Sequence, residues 1–105
     1  MSNQSPMTEA MYYALLVLSR PQHGYLIMSA IKEASEQRLV IGPGTLYGVL
    51  SRLQKDKLIT LDEDDGRRKT YSLTEKGRQA LRQEHLRLAA MVRDGNRCLG
   101  GVWER

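Results

Sequence analysis

The chain has 105 residues, 41% of them hydrophobic and 27% charged, which fits one small globular domain and leaves no room for a second. A chain this size buries roughly 60 to 70% of its unfolded surface, enough for a modest core and too little for a deep catalytic cavity, so an enzyme is disfavoured at the outset. Sixteen Lys and Arg against twelve Asp and Glu give a net charge of +4, and the longest apolar run, Ala14 to Leu18, falls far short of the ~20 residues of a membrane span.

Residues 1–5 read as a flexible leader. Ser5-Pro6 then reads as a cap followed by proline at the first helical position, which predicts a helix to about Ser19. Met7, Met11, Ala14, Leu15 and Leu18 fall on one face of it, while Tyr12, Leu16 and Val17 make the other face apolar too. Such a helix must be covered on more than one side. Self-association does this most simply, and a second helix of the same chain is the alternative. Arg20 to Gly24 is a turn, and Tyr25 to about Ser35 is the next helix, with Ile27, Ile31 and Ala34 spaced to face a core.

Arg38-Leu39-Val40-Ile41 has the composition of a brief strand, ended by Gly42-Pro43-Gly44. The third helix, Thr45 to about Lys55, is the most regular, with Leu46, Val49, Leu50 and Leu53 on one face. Leu58 to Leu61 and Lys69 to Leu73 read as two strands joined through Asp65-Gly66, a favoured hairpin turn, with Tyr71 facing the core. A last helix opens at the Thr74 cap and continues to about Arg93, carrying Leu81, Leu88 and Val92 on one stripe that His85 interrupts. Residues 95–105 read as a tail that holds Cys98 and Trp103.

Three helices followed by a hairpin is the order of a winged helix-turn-helix. The fold class expected is therefore mainly α with a small β-hairpin: residues 6–73 as the DNA-binding domain and 74–94 as a C-terminal helix. In such a domain the third helix enters the major groove of double-stranded DNA. At ~100° per residue, its face opposite the apolar stripe is centred on Gly48, Ser51 and Lys55 and flanked by Thr45, Tyr47 and Arg52. Small, hydroxylic and basic groups suit base edges and phosphates. Gly48 costs a helix about 1 kcal/mol relative to alanine, which close approach to a nucleic acid or to another helix would offset.

The charge distribution agrees with this assignment. Residues 1–50 hold three basic and three acidic side chains, so the whole excess lies in the second half. There the acidic Asp62 to Asp65 precede the basic Arg67, Arg68 and Lys69, which a hairpin would make antiparallel neighbours, and the basic run would reach flanking phosphates. The competing reading is a winged-helix module that binds protein and needs no basic outward face. No Gly-rich phosphate loop, catalytic triad or metal-ligand spacing is present, so no cofactor and no metal are expected. Met1 to Ser5 lack the basic segment of a secretory signal and the lone Cys98 cannot form an internal disulfide, so the expected location is the cytoplasm.

Three segments, Pro21 to Tyr25, Gly42 to Tyr47 with Leu50, Arg52, Leu53, Leu58 and Ile59, and Gly66 to Lys69 with Tyr71, Leu73, Thr74, Glu75 and Gly77, resemble the PadR family of bacterial transcriptional regulators. The likeness covers roughly residues 7–93. It implies a homodimeric repressor of a roughly palindromic operator, released by a small phenolic or drug-like effector. It also implies dimerisation through the first and last helices, which assigns Met7, Met11, Tyr12, Leu15, Leu81, His85, Leu88 and Val92 to the interface. A single terminal helix resembles the shorter subfamily. Two positions depart from the family pattern: Lys57 stands where a glycine is common, and residues 74–93 contain no aromatic.

Overall fold

Thr8 opens the first helix: its hydroxyl accepts from the Met11 amide at 3.1 Å, and α1 spans Glu9–Val17. The computed structural model describes residues 7–64 and 68–100, so the Ser5-Pro6 cap lies outside the described residues. A two-residue strand β1 (Gln22–His23) leads into α2 (Gly24–Ala34). Helix α3 (Pro43–Lys55), strands β2 (Ile59–Asp64) and β3 (Arg68–Leu73), and helix α4 (Glu75–Leu99) follow. The strands form one antiparallel sheet in the order β1-β3-β2. Leu61 pairs with Tyr71 and His23 with Thr70, so β3 is the central strand.

Two segments depart from the sequence reading. Gln22 and His23, read as part of a turn, are the third strand. Arg38 to Ile41, read as a brief strand, form none: the segment begins in the tight turn that ends α2, where the Arg38 amide donates to the Ser35 carbonyl at 3.1 Å. Glu36 and Gln37 take positive φ of 54° and 67°, and the Gln37 amide returns to the Lys32 carbonyl at 2.7 Å. The Leu39 amide then donates to the Ser35 hydroxyl at 2.9 Å. Helix α4 also continues past Arg93 to Leu99, running through Gly95. A helical glycine lowers stability by only about 1 kcal/mol, and Asp94 and Arg97 pair along this turn at 3.2 Å.

The core is Ala14, Leu15, Leu18, Ile27, Ile31, Leu46, Leu50, Leu53, Leu58, Ile59 and Tyr71. Each fully buried leucine or isoleucine contributes roughly 1.5–3 kcal/mol against the entropy of ordering the chain. Helix α1 packs against α2, α3 and α4, so helices of the same chain cover much of its apolar surface. Gln22 closes its C-terminal end by donating from Nε2 to the Val17 carbonyl at 3.0 Å.

Helix α3 ends in a Schellman motif. The Leu58 amide donates to the Leu53 carbonyl and the Lys57 amide to the Gln54 carbonyl, both at 2.9 Å, with Lys57 at φ 64°. Glycine adopts this conformation without steric cost, so a lysine here lowers stability by about 1 kcal/mol and leaves the path of the backbone unchanged.

The radius of gyration is 15.8 Å and the longest dimension 57 Å, against roughly 13 Å expected of a compact chain of about 100 residues. Helix α4 accounts for the elongation, since its 25 residues extend about 37 Å at 1.5 Å each.

Candidate nucleic-acid interface

Helix α3 separates its two faces cleanly. Leu46, Leu50 and Leu53 are wholly buried, while Thr45, Tyr47, Gly48, Ser51, Arg52 and Lys55 are all exposed. The apolar stripe that anchors the helix thus turns its polar side to solvent. Arg52 is the member already engaged, its Nε donating to Asp56 Oδ2 at 3.1 Å across one helical turn. An exposed pair of this kind contributes ~0–1 kcal/mol.

A Cβ built on Gly48 meets nothing within 4 Å. Contact with another of the described helices is therefore not the reason for the glycine. Gly24, at the start of α2, is different: a Cβ there would stand 3.0 Å from the Tyr71 ring and 3.7 Å from the Tyr47 hydroxyl. Tyr47, half exposed on α3, thus leans towards the β1–α2 junction. Burial, and secondarily the neighbouring Tyr47, raise the Tyr71 hydroxyl above the usual tyrosine pKa.

The sheet stands beside this helix. Its backbone register puts Asp64 opposite Arg68 and Glu63 opposite Lys69. Lys69 is exposed. Arg68 lies on β3, whereas Arg67 and the Asp65-Gly66 turn fall outside the described residues. One connection was missed in the sequence: Thr70 Oγ1 and His23 Nδ1 lie 3.1 Å apart, tying the hairpin to β1. It was illegible there because residues 22 and 23 carry no strand pattern of their own.

The hairpin and α4 are fixed to the end of α3 by a cluster around Thr74. Its hydroxyl donates to the Lys57 carbonyl at 2.7 Å and accepts from the Gly77 amide at 2.9 Å. Its own amide donates to the Leu58 carbonyl at 3.0 Å.

A second group of residues lies where α1 meets α4. Met7, Met11, Tyr12, Leu81 and Leu88 are half-buried, and His85 and Val92 are exposed. The Tyr12 hydroxyl sits 3.1 Å from His85 Nδ1, and burial, with Tyr13 and Glu84 nearby, raises its pKa. Leu15 corrects the sequence reading: it is completely buried against its own chain, which leaves it no surface to offer a partner. Glu84, a charged residue on the inner side of α4, is nearly buried and held bidentately by Arg87 at 2.5 and 3.0 Å. Those bonds outweigh burial and keep its carboxyl below the usual carboxylate pKa. An open cleft of about 670 Å³ runs between the helices, lined by Leu16, Arg78, Leu81, Arg82 and His85 among others. Among the described residues no helix is long and apolar enough to cross a membrane.

Two helices, a third with a polar outer face, and a hairpin braced alongside define a winged helix-turn-helix of the DNA-binding class. The chain belongs to the PadR-like family of transcriptional regulators, whose pattern matches residues 14–83. It is 36% identical over 89 residues to the transcriptional regulator YqjI of Escherichia coli, a match covering 82% of this chain and 42% of that protein. A PadR-like transcription factor from Bacteroides fragilis superposes with a TM-score of 0.63 at 32% identity, over 88% of this chain and 87% of the other. The Bacillus subtilis PadR protein in complex with operator DNA does so with a TM-score of 0.64 at 30% identity, over 74% and 47%. The chain spans less than half the length of the curated relatives it matches. Members of this family are transcriptional regulators, not enzymes.

Proposed function

We propose that this chain is a homodimeric repressor that docks the exposed face of α3 into the major groove of a roughly palindromic operator. Thr45, Tyr47, Gly48, Ser51 and Arg52 read base edges, while Lys55 and the hairpin's Arg67, Arg68 and Lys69 anchor phosphates. The observation that carries this reading is the outer face of α3: six outward positions, small, hydroxylic or basic, all exposed beside the hairpin. The operator complex of the B. subtilis relative supports it.

Dimerisation is supported by α4, whose outer half leaves Met91, Val92 and Leu99 exposed among the described residues. Met7, Met11, Tyr12, Leu81, His85, Leu88 and Val92 form the interface in this reading. An effector would occupy the cleft between α1 and α4, whose lining offers Arg82 and His85 beside Leu16 and Leu81, while Arg78 is paired there with Glu75 at 3.6 Å.

DNase I footprinting of the DNA flanking the chain's own gene tests the proposal. Two protected half-sites about 10 base pairs apart, or a multiple of that, overlapping the promoter, are expected of a symmetric dimer. Absence of protection at saturating protein would overturn it.

A further inference from the structure

We propose that Tyr25, held in place by His23, is a further DNA-contacting residue whose hydroxyl donates to a phosphate oxygen of the duplex backbone beside the groove that α3 occupies. This deepens the repressor reading and rests on it. Tyr25 stands in the first turn of α2 and is 70% exposed, so burial of its ring explains little of its presence. Its orientation is nevertheless defined. The ring lies parallel to the His23 imidazole, the planes 3° apart and the centroids at 5.8 Å, an offset stack. His23 in turn is fixed from the other side by Thr70 of β3 at 3.1 Å, and the backbones of these two residues pair across β1 and β3.

The stack is continuous with both halves of the candidate interface. Thr70 adjoins exposed Lys69 on the hairpin. Gly24, between His23 and Tyr25, lies beneath the Tyr47 hydroxyl of α3, with 3.7 Å separating that oxygen from the glycine's Cβ position. Among the described residues the Tyr25 hydroxyl has no hydrogen-bond partner. A rigid aromatic arm with a free donor at its tip loses little conformational entropy on binding, and tyrosine hydroxyls are regular donors to phosphate. His23 is a positioning residue: it touches no DNA and acts by holding the ring.

A phosphate contact is independent of sequence, so a fluorescein-labelled 30-base-pair duplex of mixed sequence serves as the probe. Anisotropy titrations from 50 to 200 mM KCl compare the wild type with Tyr25→Phe, His23→Ala, His23→Phe and the His23→Ala/Tyr25→Phe double variant. Tyr25→Phe, which removes only the hydroxyl, is expected to weaken binding about tenfold. Its salt slope should be unchanged, because a neutral donor releases no counterion. His23→Ala should lose a similar factor, His23→Phe should restore most of it by keeping the stack, and the double variant should bind no more weakly than either single.

Wild-type affinity in Tyr25→Phe overturns the proposal while leaving DNA binding intact. Additive losses in the double variant overturn the positioning role of His23. Failure of the wild type to bind any duplex overturns the repressor reading and this proposal with it. Thermal melting of each variant establishes folding, and Tyr25→Phe alone decides the contact if His23→Ala does not fold.

Discussion

Replacing Gly77 with alanine is expected to lower the melting temperature of this chain by on the order of 15 °C, which corresponds to at least about 3 kcal/mol for a domain of this size. A Cβ at this position would lie 1.9 Å from the Leu58 carbonyl oxygen and 2.8 Å from its carbonyl carbon. Both are backbone atoms, so no rotamer change relieves the clash. Helix α4 would have to lift away from the α3–β2 connection. The hydrogen bonds of Thr74 to Lys57 and Leu58 would open with it. Gly95→Ala is the control, because a Cβ on that helical glycine meets nothing within 4 Å. It should stabilise the chain by roughly 1 kcal/mol through helix propensity alone. Thermal denaturation by circular dichroism separates the two, and equal shifts would contradict the packing described for α4.

The second large effect is on DNA affinity. Lys55→Gln and Lys69→Gln together neutralise one exposed cation on α3 and one on the hairpin. Glutamine avoids placing a like charge opposite Glu63, the register partner of Lys69. Each phosphate contact steepens log K against log salt by about 0.9, so the double variant should lose a slope of about 1.8. The electrostatic contribution vanishes near 1 M salt. At 0.1 M, one decade lower, the same slope corresponds to roughly 60-fold weaker binding. Stability should change by less than about 0.5 kcal/mol, because both side chains are exposed. Anisotropy titration across a salt series reads both quantities. Unaltered affinity and slope would favour a winged-helix module that binds protein.

Most of the fold was legible because hydrophobic period and turn chemistry agree over long segments. Helix α3 repeats leucine and valine at helical spacing, and Tyr71 alternates with hydroxylic neighbours as a half-buried strand residue does. Where tertiary contacts decide, the sequence carried less. Gln22 and His23 become a strand only because β3 offers them an edge. Arg38 to Ile41 have strand composition, yet the chain leaves α2 at positive φ and Ser35 takes the amides of Arg38 and Leu39 on its carbonyl and hydroxyl oxygens.

The candidate site divides in the same way. The outward face of α3 follows from helical geometry once the apolar stripe is known. Tyr12 and Leu15 stand one turn apart on α1, and only the packing of α2, α3 and α4 against that helix reveals which of them stays accessible. Glu84 is largely buried on α4 and held by Arg87, one turn later, a pairing no periodicity announces.

Gly48 offers the most direct measurement of whether the outer face of α3 lies against a duplex. Among the described residues an added methyl there meets no atom within 4 Å, so Gly48→Ala should raise the melting temperature by several degrees through helix propensity. If the helix backbone approaches DNA closely, the same methyl must also intrude on the contact. The account predicts that Gly48→Ala is more stable and binds the footprinted operator duplex at least fivefold more weakly. A variant that gains stability and keeps wild-type operator affinity would contradict it.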